Sequence, residues 1–150
     1  HLILAVVFTV SSYATTLYVA TTGSDSAAGT SSAPIATLGR ALAIVKPGDT
    51  ISLGTGTFSG AVNTSVAGTP TNRIIIQGAG IGSTIYTGGI TVDTSYYTIR
   101  NITFRGQSVT FSAVDSCIME SCEAYRGFNN FKIEGKEAPS LLRILISLLR

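Results

Sequence analysis

Two ten-residue stretches constrain the fold of this chain more than any other feature. YTIRNITFRG (97–106) and IMESCEAYRG (118–127) overlie each other at an offset of 20, stretching to 21 at Arg105-Gly106 and Arg126-Gly127. Ile99 falls on Met119, Asn101 on Ser121, Ile102 on Cys122 and Phe104 on Ala124. A period near 20 built from short β-like runs is a solenoid signal. The phase inside each unit adds a corner. A straight strand would send Ile99 and Ile102 to opposite faces, because side chains alternate. If both point inward, the chain must turn at Arg100-Asn101. Asn tolerates the left-handed backbone such a corner needs, and Ser121 takes the same place one unit later. The expected architecture is therefore a parallel β-helix, each coil a few short strands stacked about 4.8 Å above the last.

Short β runs separated by turn formers continue this pattern elsewhere: Ile74-Ile75-Ile76, Ile90-Thr91-Val92, Val109-Thr110-Phe111 and Phe131-Lys132-Ile133. Composition agrees. Charged residues make up 12% and apolar ones 45%, with 16 Gly, which favours an all-β fold over a helical one. The formal net charge is +2 and no Lys/Arg run occurs, so nucleic acid is not an expected partner.

Residues 17–60 differ from the rest. Leu17–Ala20 is a short strand, and Thr22–Pro34 is a Gly- and hydroxyl-rich loop. Thr37–Lys46 reads as a helix: Thr37 caps it, and Leu38, Ala41, Leu42 and Val45 form one apolar stripe. Lys46 is placed in the last turn, and Pro47-Gly48-Asp49 stops the helix before a strand at Thr50–Leu53. A stacked solenoid exposes apolar side chains and unpaired backbone at its first coil, and an amphipathic helix laid over that end covers both.

The two ends read differently again. In HLILAVVFTVSSYA (1–14), Leu2–Val10 is an apolar run too short to span a bilayer, with Ser12 and Ala14 at small-x-small cleavage positions. It reads as a secretory signal, with the mature chain starting near Thr15. The tail, 134–150, breaks the pattern. SLLRILISLLR (140–150) reads as a helical run, and two interpretations stand: a C-terminal helix that covers the last coil, or a departure of the gene model from the true frame. The division is then 1–14 signal, 15–60 cap and first strand, 61–133 coils, 134–150 helical tail, with about three coils in all.

With these pieces in place, a family resemblance is evident. GSDSAAGTSSAPIATLGRALAIVKPGDTISLGTGTFSG (23–60) resembles the N-terminal segment of secreted right-handed parallel β-helix proteins of the pectate-lyase-like and polysaccharide-lyase-like kind. The matching pieces are Gly23–Ser26, Gly29-Thr30, Pro34, Thr37-Leu38, Ala41-Leu42, Pro47–Ile51 and Gly56–Phe58, and TIRNITFRG (98–106) looks like a family coil. The resemblance covers roughly residues 17–133. It implies a right-handed β-helix, a secreted location and an acidic polysaccharide as partner, with no membrane contact in the mature, monomeric form. In such lyases Ca²⁺ or a neutralising side chain holds a uronate carboxylate while a Lys or Arg removes the C5 proton. The resemblance thus implies a fragment of a β-elimination lyase, with Ca²⁺ in the full-length protein. A non-catalytic glycan-binding or matrix module and a truncated inactive product are the alternatives. No catalytic Lys or Arg of this chain maps onto the family pattern.

Individual residues offer a few candidates. Arg105 and Arg126 are expected to share a place in successive coils and to bind a polyanionic glycan. Arg100 and Glu120 are set for a cross-coil ion pair of small energetic weight. Asp93, Asp115, Glu120 and Glu123 stand singly, without metal-ligand spacing. Cys122 falls at the inward place of Ile102, so a buried thiol is expected rather than a Cys117–Cys122 disulfide across the corner. Asn63 and Asn101 head formal glycosylation sequons. Tyr18, Tyr86, Tyr96, Tyr97 and Tyr125 suit sugar rings or, more commonly, internal stacking. His1 falls in the signal, which leaves no histidine for acid–base work.

Overall fold

The computed structural model describes residues 13–112 and 114–125, together with the backbone of two later strands, 131–134 and 143–148. In chain order the elements are β1 (Thr16–Val19), α1 (Leu38–Ile44), β2 (Thr50–Leu53), β3 (Gly56–Phe58), β4 (Val62–Asn63), β5 (Ile74–Gly78), β6 (Thr84–Tyr86), β7 (Ile90–Val92), β8 (Tyr97–Arg100), β9 (Thr103–Phe104), β10 (Val109–Ser112), β11 (Ile118–Ala124), β12 (Phe131–Glu134) and β13 (Arg143–Leu148).

Every pairing between strands is parallel, and the pairings resolve into three ladders. The first runs β1-β2-β5-β8-β11-β13. The second runs β3-β6-β9 and onward through the second half of β11. The third runs β4-β7-β10-β12. Successive strands in the chain thus visit three faces in turn, which is a parallel β-helix. β2–β4, β5–β7 and β8–β10 make three coils. β11 and β12 make a fourth, and β13 begins a fifth, so the coil number exceeds the three expected from the sequence.

The register is the one that the 20-residue offset predicts. Ile99 pairs with Met119 and Phe104 with Ala124. At the corner between the first two faces, Asn101 has φ 60° and Ser121 φ 49°, and the Asn101 amide donates to Ser121 O at 3.0 Å. The other corner of the first face has the same pattern, with Tyr96 at φ 64° and Ser116 at φ 50°.

Strand alternation turns the repeat into a core. Ile51, Ile76, Ile99 and Met119 form one inward column. Phe58, Tyr86 and Phe104 form a second, in which Tyr86 and Phe104 meet edge to face at 6.4 Å. Val92 and Phe111 belong to the third face. All are buried, and each contributes roughly 1.5–3 kcal/mol by leaving water.

The start of the stack is covered as expected, with a shorter helix. α1 buries Leu38, Ala41 and Leu42 and packs against β1, β2 and β4. The Thr37 hydroxyl accepts from Arg40 N at 3.1 Å, the N-cap bond. Val45 already has an extended backbone and closes the helix, so Lys46 lies beyond it rather than in its last turn. The buried carboxylate of Asp49 stops it, accepting from Lys46 N at 2.9 Å and from Thr15 N at 2.8 Å. Beyond β1 the chain adds half a rung of its own: Ile35 bridges to Val19 and satisfies the outer edge of β1.

The tail departs from expectation. Residues 143–148 are not a helix but strand β13, paired in parallel with β11, Ile144 opposite Met119 and Ile146 opposite Cys122. A ladder edge left by β11 offers a backbone partner at every second residue, and that outweighs a local preference for helix. The presumed signal, apart from Tyr13 and Ala14, lies outside the described residues.

Candidate functional site

The outward surface of the first two faces carries two rows of polar side chains on successive coils. Along the first face, Gln77, Arg100 and Glu120 stand in one outward row on successive coils. Arg100 donates from Nε and Nη2 to Gln77 Oε1, at 2.9 and 2.6 Å, and Nη1 lies 3.9 Å from Glu120 Oε1. The anticipated ion pair is therefore present, at the long end of such contacts and with both side chains more than a third exposed. Its energetic weight is under about 1 kcal/mol.

On the second face the outward row is Ile85, Thr103 and Glu123. The loop 79–83 folds over it: Gly82 N donates to Thr103 Oγ1 at 2.8 Å, and Thr103 in turn donates to Glu123 Oε2 at 2.8 Å. Glu123 is only 6% exposed. Its carboxylate serves coil stacking here.

One position past the second face lies a further column. Thr87, Arg105 and Tyr125 donate their amides to Phe58 O, Tyr86 O and Phe104 O respectively, one rung apart each time. The rung next to Arg105 is thus taken by Tyr125. Arg105 is exposed, and its guanidinium carbon sits 4.3 Å from the centre of the Tyr125 ring, a cation–π contact. Arg126 lies outside the described residues.

The other candidates fall into structural places. Asp93 Oδ1 accepts from the Thr64 hydroxyl at 2.8 Å, while Asp115 is exposed near Ser95, whose hydroxyl accepts from the Asp115 amide at 3.0 Å. Among the described residues no three His, Cys, Asp or Glu side chains gather as metal ligands. Cys117 and Cys122 are free, buried thiols, and burial raises both pKa values, that of Cys122 to about 11. Tyr86 and Tyr97 are internal. Their hydroxyls donate to Gly60 O at 2.7 Å and Val66 O at 2.8 Å, and burial pushes both up to about 12. Tyr18 is outward and partly exposed. Of the sequons, Asn63 is exposed on β4, whereas Asn101 occupies its corner half-buried.

Arg73 was not singled out by the sequence. Its guanidinium crosses two coils: Nη2 donates to Tyr97 O at 2.6 Å and also to Ser116 O, and Nε donates to Thr98 Oγ1 at 3.0 Å. An isolated Arg just before a β-branched run gives no hint of this, because its acceptors are backbone carbonyls 24 and 43 residues away.

Three ladders of parallel strands under an end-covering helix define a β-helix protein of the polysaccharide-lyase-like fold. Residues 21–129 match a family described as proteins of unknown function, DUF1565, and the chain belongs to that family. Solved structures agree on the fold. An alginate lyase from Paenibacillus sp. str. FPU-7 is 24% identical with a TM-score of 0.59, over 74% of this chain and 37% of that one. The PL6 family alginate lyase AlyGC is 19% identical with a TM-score of 0.51, over 57% of this chain and 14% of that one. A rhamnogalacturonan lyase is 16% identical with a TM-score of 0.53, over 79% and 43%. The chain spans less than half the length of each. No curated protein matches. No described helix is long and apolar enough to cross a membrane.

Proposed function

We propose that this chain forms the helix-capped coils of a secreted β-helix protein that acts on a uronate-containing polysaccharide, by β-elimination in its complete form. The observation that carries the reading is Arg105: an exposed guanidinium, in no ion pair among the described residues, held in place on an aromatic ring on the outside of a stack of coils. Such a cation on a rigid scaffold suits a repeating carboxylate polymer. The names of the similar structures, alginate and rhamnogalacturonan lyases, support the same substrate class.

A non-catalytic binding module is the second reading, and one observation favours it. Arg100, a cation on the first face, is tied to Gln77 and Glu120 and is poorly placed to take a proton. Incubating the complete protein with pectate, alginate and chondroitin and following the absorbance of unsaturated uronides separates the two. Product from any of them establishes the lyase. Retention on immobilised uronate polymer without product establishes the module. Neither product nor retention on any uronate polymer removes both.

A further inference from the structure

The column past the second face has a second feature besides Arg105 and Tyr125. On three successive rungs the column residue is followed by a glycine, in Ser59-Gly60, Thr87-Gly88 and Arg105-Gly106; Tyr125 is followed by Arg126. Gly60 and Gly106 hold φ 101° and 92°, and a Cβ on either would point into open space. Gly88 is buried, and a Cβ there would collide with the backbone of Gly60, so the coils pack backbone to backbone at this corner. The result is a strip of side chains, Ser59, Thr87, Arg105 and Tyr125, with bare glycine backbone beside the first three. Arg105 stands between a hydroxyl residue on one rung and an aromatic ring on the next, rungs being about 4.8 Å apart.

We propose that this strip is a subsite for an anionic sugar chain lying along the stack, with Arg105 pairing to a uronate carboxylate and Tyr125 stacking on the adjoining pyranose ring. The chemistry of each partner argues for it. A carboxylate takes two parallel N–H donors from a guanidinium, and the contact with Tyr125, 4.3 Å to the ring centre, biases the Arg105 side chain toward that place, so part of the ordering cost is met before binding. A pyranose presents a face of C–H groups, which needs a flat ring that is neither buried nor mobile. Tyr125 is 46% exposed, its backbone is held by its amide bond of 3.0 Å to Phe104 O, and its ring lies against the Arg105 guanidinium on one face. The glycines leave room for the bulk of the sugar beside the column. Arg126, expected from the sequence to share this role, is not needed for it.

This inference rests on the uronate reading above, and its test separates the two. The protein is titrated with unbranched oligogalacturonate and oligomannuronate and, as a neutral probe, the methyl ester of the former, by calorimetry at low and high salt. Arg105→Gln is expected to weaken binding of the acidic oligomers by about tenfold or more and to flatten the salt dependence, leaving the ester nearly unaffected. Tyr125→Ala is expected to weaken acid and ester alike, and Tyr125→Phe to restore both, which excludes a loss through misfolding. Wild-type affinity for the acidic oligomers in both Arg105→Gln and Tyr125→Ala overturns the strip while the uronate reading stands. Failure of the unaltered protein to bind any acidic oligomer overturns the strip and that reading together.

Discussion

Corner residues decide whether consecutive coils can stack. Asn101 and Ser121 both hold left-handed backbone, and this conformation costs a non-glycine residue roughly 1–2 kcal/mol. Asn offsets part of that cost through its local hydrogen bonding; Ser does so less well. Ser121 is exposed, so its replacement has no packing cost. Ser121→Gly is therefore expected to stabilise the fold by about 1 kcal/mol, visible as a higher urea midpoint. A lower midpoint would show that the Ser121 side chain has a role beyond its backbone. Gly78 sits at the equivalent corner one coil earlier, and a Cβ there would collide with Asn101 O. Gly78→Ala is expected to cost about 3 kcal/mol, since the obstacle is backbone and cannot swing away. Asn101 was legible because its residue type carries the conformation. Arg73 was not, because its role consists of distant carbonyls that no side-chain pattern encodes.

At the scale of elements, the polar bonds that start the cap helix converge on one carboxylate. Asp25 accepts from Ala36 N at 3.1 Å, Thr37 N at 2.9 Å and the Thr37 hydroxyl at 2.8 Å, and the same hydroxyl caps α1. Thr37→Ala removes the cap and one Asp25 bond, costing about 1 kcal/mol; Asp25→Ala removes all three, costing about 1–2 kcal/mol. Hydrogen exchange should report faster amides in α1 for both variants and unchanged protection in β8. Equal acceleration in β8 would mean that the cap and coils open as one unit. The strands and their register were readable, because side-chain alternation and a repeated corner leave little freedom. The helix was overextended by two residues because Val45 fits the apolar stripe, yet its backbone already turns to let Asp49 take the Lys46 amide. The tail misled for the opposite reason. An apolar run without turn residues is ambiguous between helix and buried strand, and the free edge of β11 decides it for β13. Of the site, Arg105 was readable as an exposed cation. Its contact with Tyr125 was not, because the one-residue stretch of the repeat at Arg105 and Arg126 hid the true rung partner.

For the whole molecule, the core runs as columns through successive coils of the described residues, so groups that titrate inside it bear on the stack as a unit. Tyr86 and Tyr97 lie fully inside, and burial raises them from 10.0 to about 12; Cys122 rises from 9.0 to about 11. Each is neutral when protonated. In the unfolded chain the thiol ionises near 9 and the phenols near 10, while in the folded protein all three keep their protons to higher pH. The folded state therefore binds more protons over this interval, and stability falls as pH rises. Their contribution is fully present below pH 9. It should fall first between 9 and 11 through Cys122, and then between 10 and 12 through the tyrosines. Tyr97→Phe removes a group that must ionise, at the cost of its hydrogen bond to Val66 O. It is expected to be less stable than the unaltered protein at pH 8, by about 1 kcal/mol, yet to lose stability less steeply between pH 10 and 12. Urea midpoints measured from pH 8 to 12 should show the two curves converging. Parallel curves would mean that Tyr97 ionises inside the fold as readily as outside it, which its burial and, to a lesser degree, the acidic Cys117 and Asp93 near its hydroxyl argue against.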